Sequence, residues 1–327
     1  MKKTSFIEAI TEALSEEMER DDKVFLIGED IGLYGGVFKA TKGLMDRFGK
    51  DRVIDSPISE VFIAGGSIGA SLVGMKPVPE IQFADFITPA MDQLIQQASK
   101  MRYRTGGDWT CPMTVRVCCG GDVGGGLYHS QINEQFFFSQ PGLVVIFPST
   151  PYDAKGLLKS AIRGDDPTIF FEHKRLYRWI KEEIPENDFT VPIGKAAVKR
   201  EGNDLTIVCY GLMYHRSMQA AEALEKDGID IEVVDMRTLR PWDRETILES
   251  VKKTSRALLV QENSKTGGVM AEVSATITEE IFDNLDAPVS RVCGLDVPMM
   301  PFAPPMEHFF LPNAEKIARA AKKIMEY

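Results

Sequence analysis

Basic charge is scarce in this sequence. Thirty-eight lysines and arginines stand against 48 aspartates and glutamates over 327 residues, a net charge of −10. No block of five or six like charges occurs. An electrostatic grip on nucleic acid or on an anionic membrane surface is therefore not expected. Long apolar runs are missing too, since none reaches the roughly 18–20 residues of a membrane span. The opening stretch MKKTSFIEAITEALSEEMERDDK alternates acids with bases around no cleavable hydrophobic core, so it reads as a helix and not as a signal peptide.

Cysteine and histidine are sparse. The five cysteines, Cys111, Cys118, Cys119, Cys209 and Cys293, form no C-x-x-C pair, and Cys118 and Cys119 lie inside an apolar run. They read as buried, reduced thiols of a cytoplasmic protein. His129, His173, His215 and His308 lack metal-ligand spacing, so no metal site built from this chain's own side chains is expected. Nucleotide-loop signatures are absent as well. AGGSIGAS carries Ala64 where G-x-G-x-x-G needs its first glycine, and GGDVGGGLYHS has neither the lysine nor the spacing of a P-loop.

What is present is an alternation. Strand-length apolar runs (KVFLIGED, DRVIDS, KPVPEIQF, MTVRVCC, GLVVIFPS and PTIFFEH) are separated by helical patterns over 4–20, 58–74, 87–101 and 151–163. That rhythm predicts a parallel sheet covered on both faces. Residues 174–200 interrupt it with mixed charge and two prolines, as a crossing between domains does. The alternation then resumes: strand DLTIVCY, helix 213–227, strand IDIEVVD, helix 241–253 opened by Pro241, strand RALLVQE, helix 268–283 and strand PVSRVC. A second, smaller α/β domain is expected, closed by a proline-rich extended arm over 295–316 and a last helix.

Four places invite a functional reading. DSPISE leads into VFIAGGSIGASLVGM, where Ser56 can cap a helix and Pro57 suits its first position. Glu60 is then either a first-turn acid favoured by the helix dipole or a dry acid with a raised pKa, able to share a proton with a bound heterocycle. The i, i+4 pairs Gly65/Gly69, Gly66/Ala70 and Ser67/Ser71 make a shallow helix face for a close neighbour, within the chain or on another subunit. Gln82, Asp85 and Phe86 follow a strand and should emerge at the carboxyl edge of the sheet, where α/β folds place ligands. His129 follows a glycine-rich loop beside Ser130 and Gln131, whereas His173 and His308 read as structural or surface residues.

The stretches LIGEDIGLYGGVFKAT, DSPISE, EIQFADF, RYRTGGDW, GGGLYHSQ, PSTPYDAKGLLKSAIR and FFEHKRLYR resemble the beta subunit of thiamine-diphosphate-dependent 2-oxo acid dehydrogenases, from about residue 4 to the C-terminus. The resemblance implies a transketolase-like α/β fold, with a pyrimidine-binding domain over 1–186 and a C-terminal domain over 187–327. It implies an alpha2beta2 heterotetramer with thiamine diphosphate at the alpha/beta boundary. Glu60 matches the glutamate that contacts the aminopyrimidine. Glu29, Ile58, Ser59 and Gln82 should line the cofactor, Phe86 should pack on its pyrimidine, and His129 matches a histidine of proton transfer at the substrate and lipoyl side.

The family's G-D-G motif with paired asparagines is missing, so Mg2+ and the diphosphate are expected on the alpha partner. A potassium ion on backbone carbonyls is allowed by the resemblance. Relatives often carry a further histidine where this chain has Gly124, which leaves that residue's task open here. FADF and LYHSQ favour branched-chain 2-oxo acids over pyruvate or acetoin, with the acyl group passed to a lipoyl-bearing acyltransferase core. The alternatives from other classes are a non-catalytic docking module of such a complex and a dinucleotide-binding protein.

Overall fold

A computed structural model of the chain describes residues 1–298 and 300–327. Two compact units form, one from residues 1–119 and 136–193, the other from residues 120–135 and 194–327. The sequence reading divides the chain at 186/187. The crossing instead falls at Ile193/Gly194, and the glycine-rich segment 120–135 belongs to the second unit.

In the first unit, β1 (Lys2–Ser5) runs into α1 (Phe6–Arg20) through a capping box. The Ser5 hydroxyl accepts the Glu8 N–H at 3.4 Å while the Glu8 carboxylate accepts the Ser5 N–H at 2.8 Å, satisfying two otherwise orphaned donors. Then come β2 (Val24–Gly28), α2 (Leu44–Phe48), β3 (Val53–Asp55), α3 (Glu60–Leu72), β4 (Lys76–Ile81), α4 (Met101–Arg104) and β5 (Thr114–Cys119). After α5 (Glu134–Phe138) follow β6 (Val144–Ile146), α6 (Pro151–Arg163), β7 (Thr168–His173), α7 (Leu176–Trp179) and β8 (Lys181–Ile184). The parallel strands lie in the order β6-β7-β5-β4-β2-β3, and β8 returns antiparallel to β1. Every residue of β2, β5 and β7 is buried, which is why these strands read as unbroken apolar runs instead of alternating ones.

Helix α6 lies along α1, and the contact is charged as well as apolar. Thr150 caps α6 by accepting the Asp153 N–H at 3.2 Å. Lys155 pairs with Glu12 at 3.1 Å and Glu16 at 2.7 Å, and Arg163 with Glu17 at 2.7 Å. The Lys155 stem covers the apolar seam while its ammonium group finds carboxylates.

The second unit contains β9 (Ala197–Arg200), β10 (Leu205–Cys209), α8 (Leu212–Glu225), β11 (Ile231–Asp235), β12 (Thr238–Arg240) and α9 (Arg244–Thr254). It continues with β13 (Ala257–Ser264), α10 (Val269–Ile281), β14 (Ser290–Gly294), α11 (Pro304–Phe310) and α12 (Ala314–Ile324). Its sheet runs β14-β13-β10-β11-β9, parallel except for β9.

Several local expectations are corrected. Helix α3 starts at Glu60, not 58, because Ser59 supplies the cap by accepting the Phe62 N–H at 3.3 Å. Ser56 does not cap; its hydroxyl donates to the Pro57 carbonyl. The expected helix 87–101 is broken into 3-10 turns and a π segment over Asp92–Gln97 before α4. Helix α9 begins at Arg244, since Asp243 accepts the Thr246 N–H at 3.3 Å and leaves Pro241 outside. The proline-rich arm is partly helical, as α11; its Met299 lies outside the described residues. Among the described residues no helix is long and apolar enough to cross a membrane.

Candidate active site

Three neighbouring strands of the first sheet bring the candidate residues to one edge. Gly28 of β2 pairs with Asp55 of β3 on one side and with Glu80 of β4 on the other. The residues that leave these strands, Glu29, Ser56 and Gln82, therefore emerge side by side at the carboxyl end of a parallel sheet, the usual ligand position of such folds. Asp55 fixes the turn beyond Glu29 by accepting the Gly32 N–H at 2.6 Å and the Leu33 N–H at 3.2 Å. A Cβ at Gly32 would stand 2.0 Å from Met45 Cε and 2.6 Å from Asp55 Oδ2, so a larger residue there must push the Met45 and Asp55 side chains aside.

Glu60 occupies the first turn of α3 and is half-buried. In this chain by itself the acid is thus neither dry nor fully in solvent. Its charge reaches Glu29: burial raises the Glu29 carboxyl above its ordinary range, and the charges of Glu60, Asp30 and Glu80 raise it further. Two acids in mutual repulsion at a sheet edge are suited to sharing a proton with a ligand. Around them Ile58 is 81 % exposed, Ser59 and Gln82 are half-buried, and the Phe86 ring is 36 % exposed. Phe86 meets Phe83 edge-to-face at 6.2 Å, and Phe83 meets Phe38 edge-to-face at 5.5 Å. Asp85, by contrast, is buried in the 3-10 turn that carries Phe86. Polar acceptors beside apolar faces suit a flat nitrogen heterocycle, so the residues present fit the aminopyrimidine half of thiamine diphosphate.

Behind this edge lies a buried polar network that the sequence reading missed. Arg116 of β5 donates through Nε and Nη2 to both oxygens of Glu172 on β7, at 2.7 and 2.8 Å, and through Nη1 to Glu80 on β4. Tyr177 donates to Glu172 at 2.7 Å and sits 2.8 Å from Cys118 Sγ. Burial works against the Arg116 charge, but the two carboxylates outweigh it and hold the guanidinium ionised. The available signal was a charged residue set inside each of three largely apolar strands, KPVPEI, TVRVCC and TIFFEH.

His129 belongs to the second unit, on the segment 120–135, with an exposed ring. Glu29, Ile58, Ser59, Glu60, Gln82 and Phe86 thus all belong to the first unit, and His129 belongs to the second. Gly124 has φ +67°, and a Cβ there would meet no atom within 4 Å. His173 is buried in β7, where Nδ1 accepts the Arg175 N–H at 3.2 Å. His308, on α11, sits 3.2 Å from the Asn313 amide.

Two family descriptions match the chain: the transketolase pyrimidine binding domain over residues 2–180 and the transketolase C-terminal domain over residues 194–317. The chain is 54 % identical to the 2-oxoisovalerate dehydrogenase subunit beta of Bacillus subtilis over 100 % of both chains. It is 48 % identical to the pyruvate dehydrogenase E1 component subunit beta of the same organism, again over 100 % of both. The mitochondrial 2-oxoisovalerate dehydrogenase subunit beta of Dictyostelium discoideum is 46 % identical, over 100 % of this chain and 88 % of its own. Among solved structures, a split-gene transketolase described as an inactive beta4 tetramer superposes with a TM-score of 0.81 at 24 % identity, over 99 % of each chain, a likeness of fold. With its transketolase-like pyrimidine-binding and C-terminal domains and its full-length relatives, this chain belongs to the family of beta subunits of the 2-oxo acid dehydrogenases.

Proposed function

We propose that this chain supplies the pyrimidine half of a thiamine diphosphate site in the decarboxylating component of a cytoplasmic 2-oxo acid dehydrogenase complex, with branched-chain 2-oxo acids as substrates. The observation that carries this reading is the pairing of Glu60, at the start of α3, with the raised-pKa Glu29 at the sheet edge beside the exposed Phe86 ring. When bound, thiamine diphosphate supplies the nucleophilic carbon and the electron sink for loss of CO2. Glu60 holds a proton at the pyrimidine ring nitrogen and so fixes the tautomer of the amino group. Phe86 and Ile58 exclude water from the ring faces, while Glu29, Ser59 and Gln82 orient it. His129 moves a proton at the substrate and lipoyl side.

An alpha partner in an alpha2beta2 assembly provides the diphosphate and Mg2+ contacts, and a lipoyl-bearing acyltransferase core accepts the acyl group. The outward face of α3 supports a subunit contact: a Cβ on Gly69 would meet nothing within 4 Å, and one on Gly66 only Phe62 of the same helix. None of the five cysteines is in a disulfide and four of them are buried, as suits a reducing compartment.

The 48 % identical relative is a pyruvate dehydrogenase subunit, so pyruvate is the second reading for the substrate. Co-expression with the alpha partner decides both points. Glu60→Gln should assemble normally yet lose decarboxylation by at least about a hundredfold, the scale of a lost acid–base group; full activity would remove Glu60 from the chemistry and favour a docking module. Turnover of 2-oxoisovalerate should exceed that of pyruvate, and equal or faster pyruvate turnover would overturn the branched-chain assignment.

A further inference from the structure

The segment 120–135, which carries His129, is tied down from within the second unit by side chains far away in sequence. At its start, Gly121 N–H donates to Glu262 at 2.7 Å, Arg216 pairs with Asp122 at 2.7 Å, and the Val123 and Gly124 amides each reach Glu307 at 3.3 Å. At its end stands Glu134, fully buried. Tyr210, just after β10, donates its hydroxyl to Glu134 Oε1 at 2.7 Å. Asn263, in β13, holds its amide nitrogen 3.0 Å from Glu134 Oε2 and 2.8 Å from the Ile132 carbonyl, and also donates to Gln135. No cation stands among these partners of Glu134. A buried carboxyl held only by neutral donors is costly when ionised.

We infer that Glu134, gripped by Tyr210 and Asn263, is a positioning residue that clamps the segment bearing His129 and thereby sets the rate of acyl transfer to the lipoyl group. This rests on the reading of His129 given above. The clamp has a protonation sense. Burial pushes the Glu134 carboxyl up to about 7, the Tyr210 and Asn263 donations oppose that rise, and the Glu262 charge adds to it. The titratable groups acting on it are Tyr210 and Glu262. The clamped state therefore favours the protonated acid, whereas an opened segment would expose Glu134 to water at its ordinary value of 4.5. By linkage, raising the pH through this window weakens the clamp.

The test uses the assembly with its alpha partner. Amide hydrogen exchange over 120–135, corrected for the intrinsic pH dependence of exchange, reads the clamp. Decarboxylation with ferricyanide as electron acceptor is compared with acyl transfer to a free lipoyl domain. Tyr210→Phe and Asn263→Ala should speed exchange in the segment about tenfold and slow acyl transfer about fivefold, leaving the ferricyanide rate within about twofold, the range expected for a local opening that spares the first unit. Glu134→Gln keeps the shape and cannot ionise. Its segment should hold the same protection at pH 6 and pH 8, while the parent protein loses protection across that range.

Unchanged exchange in Tyr210→Phe and Asn263→Ala overturns the clamp. Faster exchange with undiminished acyl transfer, in a protein where His129→Ala does slow transfer, overturns the link to catalysis. If His129→Ala itself leaves transfer intact, the reading of His129 fails and the acyl-transfer link falls with it, while the exchange result still decides the clamp.

Discussion

Arg116 and Glu172 close a two-pronged ion pair, Nε to Oε1 at 2.7 Å and Nη2 to Oε2 at 2.8 Å, with neither side chain more than 1 % exposed. Glu80, 5 % exposed, takes the remaining edge of the guanidinium. The three residues stitch β4, β5 and β7 together directly behind the edge that bears Glu29 and Gln82. Removing the cation leaves two carboxylates buried without a counter-charge. Arg116→Met should therefore cost about 3–5 kcal/mol of stability, read as a lower denaturant midpoint. Arg116→Lys should recover only part of this, because an ammonium cannot fork onto both oxygens. An unchanged midpoint in Arg116→Met would show that the network contributes nothing.

Gly142 and Gly43 share a left-handed backbone, with φ of +90° and +80°, but differ in their surroundings. At Gly142 a Cβ would lie 1.9 Å from the Ser99 carbonyl oxygen, whereas at Gly43 it would meet nothing within 4 Å. Gly43→Ala should cost only the ~1–2 kcal/mol of a left-handed residue. Gly142→Ala must also displace backbone, and it should lose more than about 4 kcal/mol or fail to fold. Thermal midpoints of the two variants give the comparison, and equal losses would contradict the packing described.

The glycine-rich loop sorts itself in the same way. Gly124 has an open surround at φ +67°, so Gly124→His should fold with a local cost of ~1–2 kcal/mol. Gly125 is different: a Cβ there would lie 2.6 Å from the His129 carbonyl oxygen and 2.7 Å from Ser130 Oγ. Gly125→Ala should displace the His129 backbone and slow acyl transfer more than Gly124→His does. The reverse order in a lipoyl-domain assay would break the link between this loop and His129.

The sheet strands were legible because buried parallel strands are apolar on both faces, so VFLIG and TVRVCC announce themselves without alternation. Helix ends were less so. At α3, Ser56 and Pro57 offer a start as plausible on paper as Ser59, and only the observed hydrogen bond to Phe62 N–H chooses between them. At α9, Pro241 drew attention away from Asp243, whose carboxylate makes the cap. Of the edge residues, Gln82 and Phe86 were legible from their place just after a strand. Glu60 was legible only as one of two readings, since a first-turn glutamate looks the same whether or not it serves a ligand. Glu29, Ile58 and Ser59 came from family likeness alone. Arg116 with Glu172, and Glu134 with Asn263, were invisible for a simpler reason. Their partners are separated by 56 and 129 positions, and no local period records such a pairing.

Asp188 offers a pH dependence whose sign is fixed by its partners. It accepts from Arg163 at 2.8 Å and also bonds Lys159, both on α6. These hydrogen bonds, Arg163 first and Lys159 next, hold its carboxyl down to about 2 from an ordinary 3.8. A depressed acid binds fewer protons folded than unfolded between those two values. Its stabilisation is therefore complete above pH 3.8 and is lost as the pH falls toward 2. Because Asp188 is mostly in solvent, screening limits the effect to about 0.5–1 kcal/mol. Asp188→Asn should lower the thermal midpoint at pH 6 and leave it unchanged near pH 2. The gap at pH 6 should also narrow in 1 M salt, where the screening length falls to about 3 Å. A gap that persists undiminished in acid would mean that Asp188 acts through packing against α6 and not through its charge.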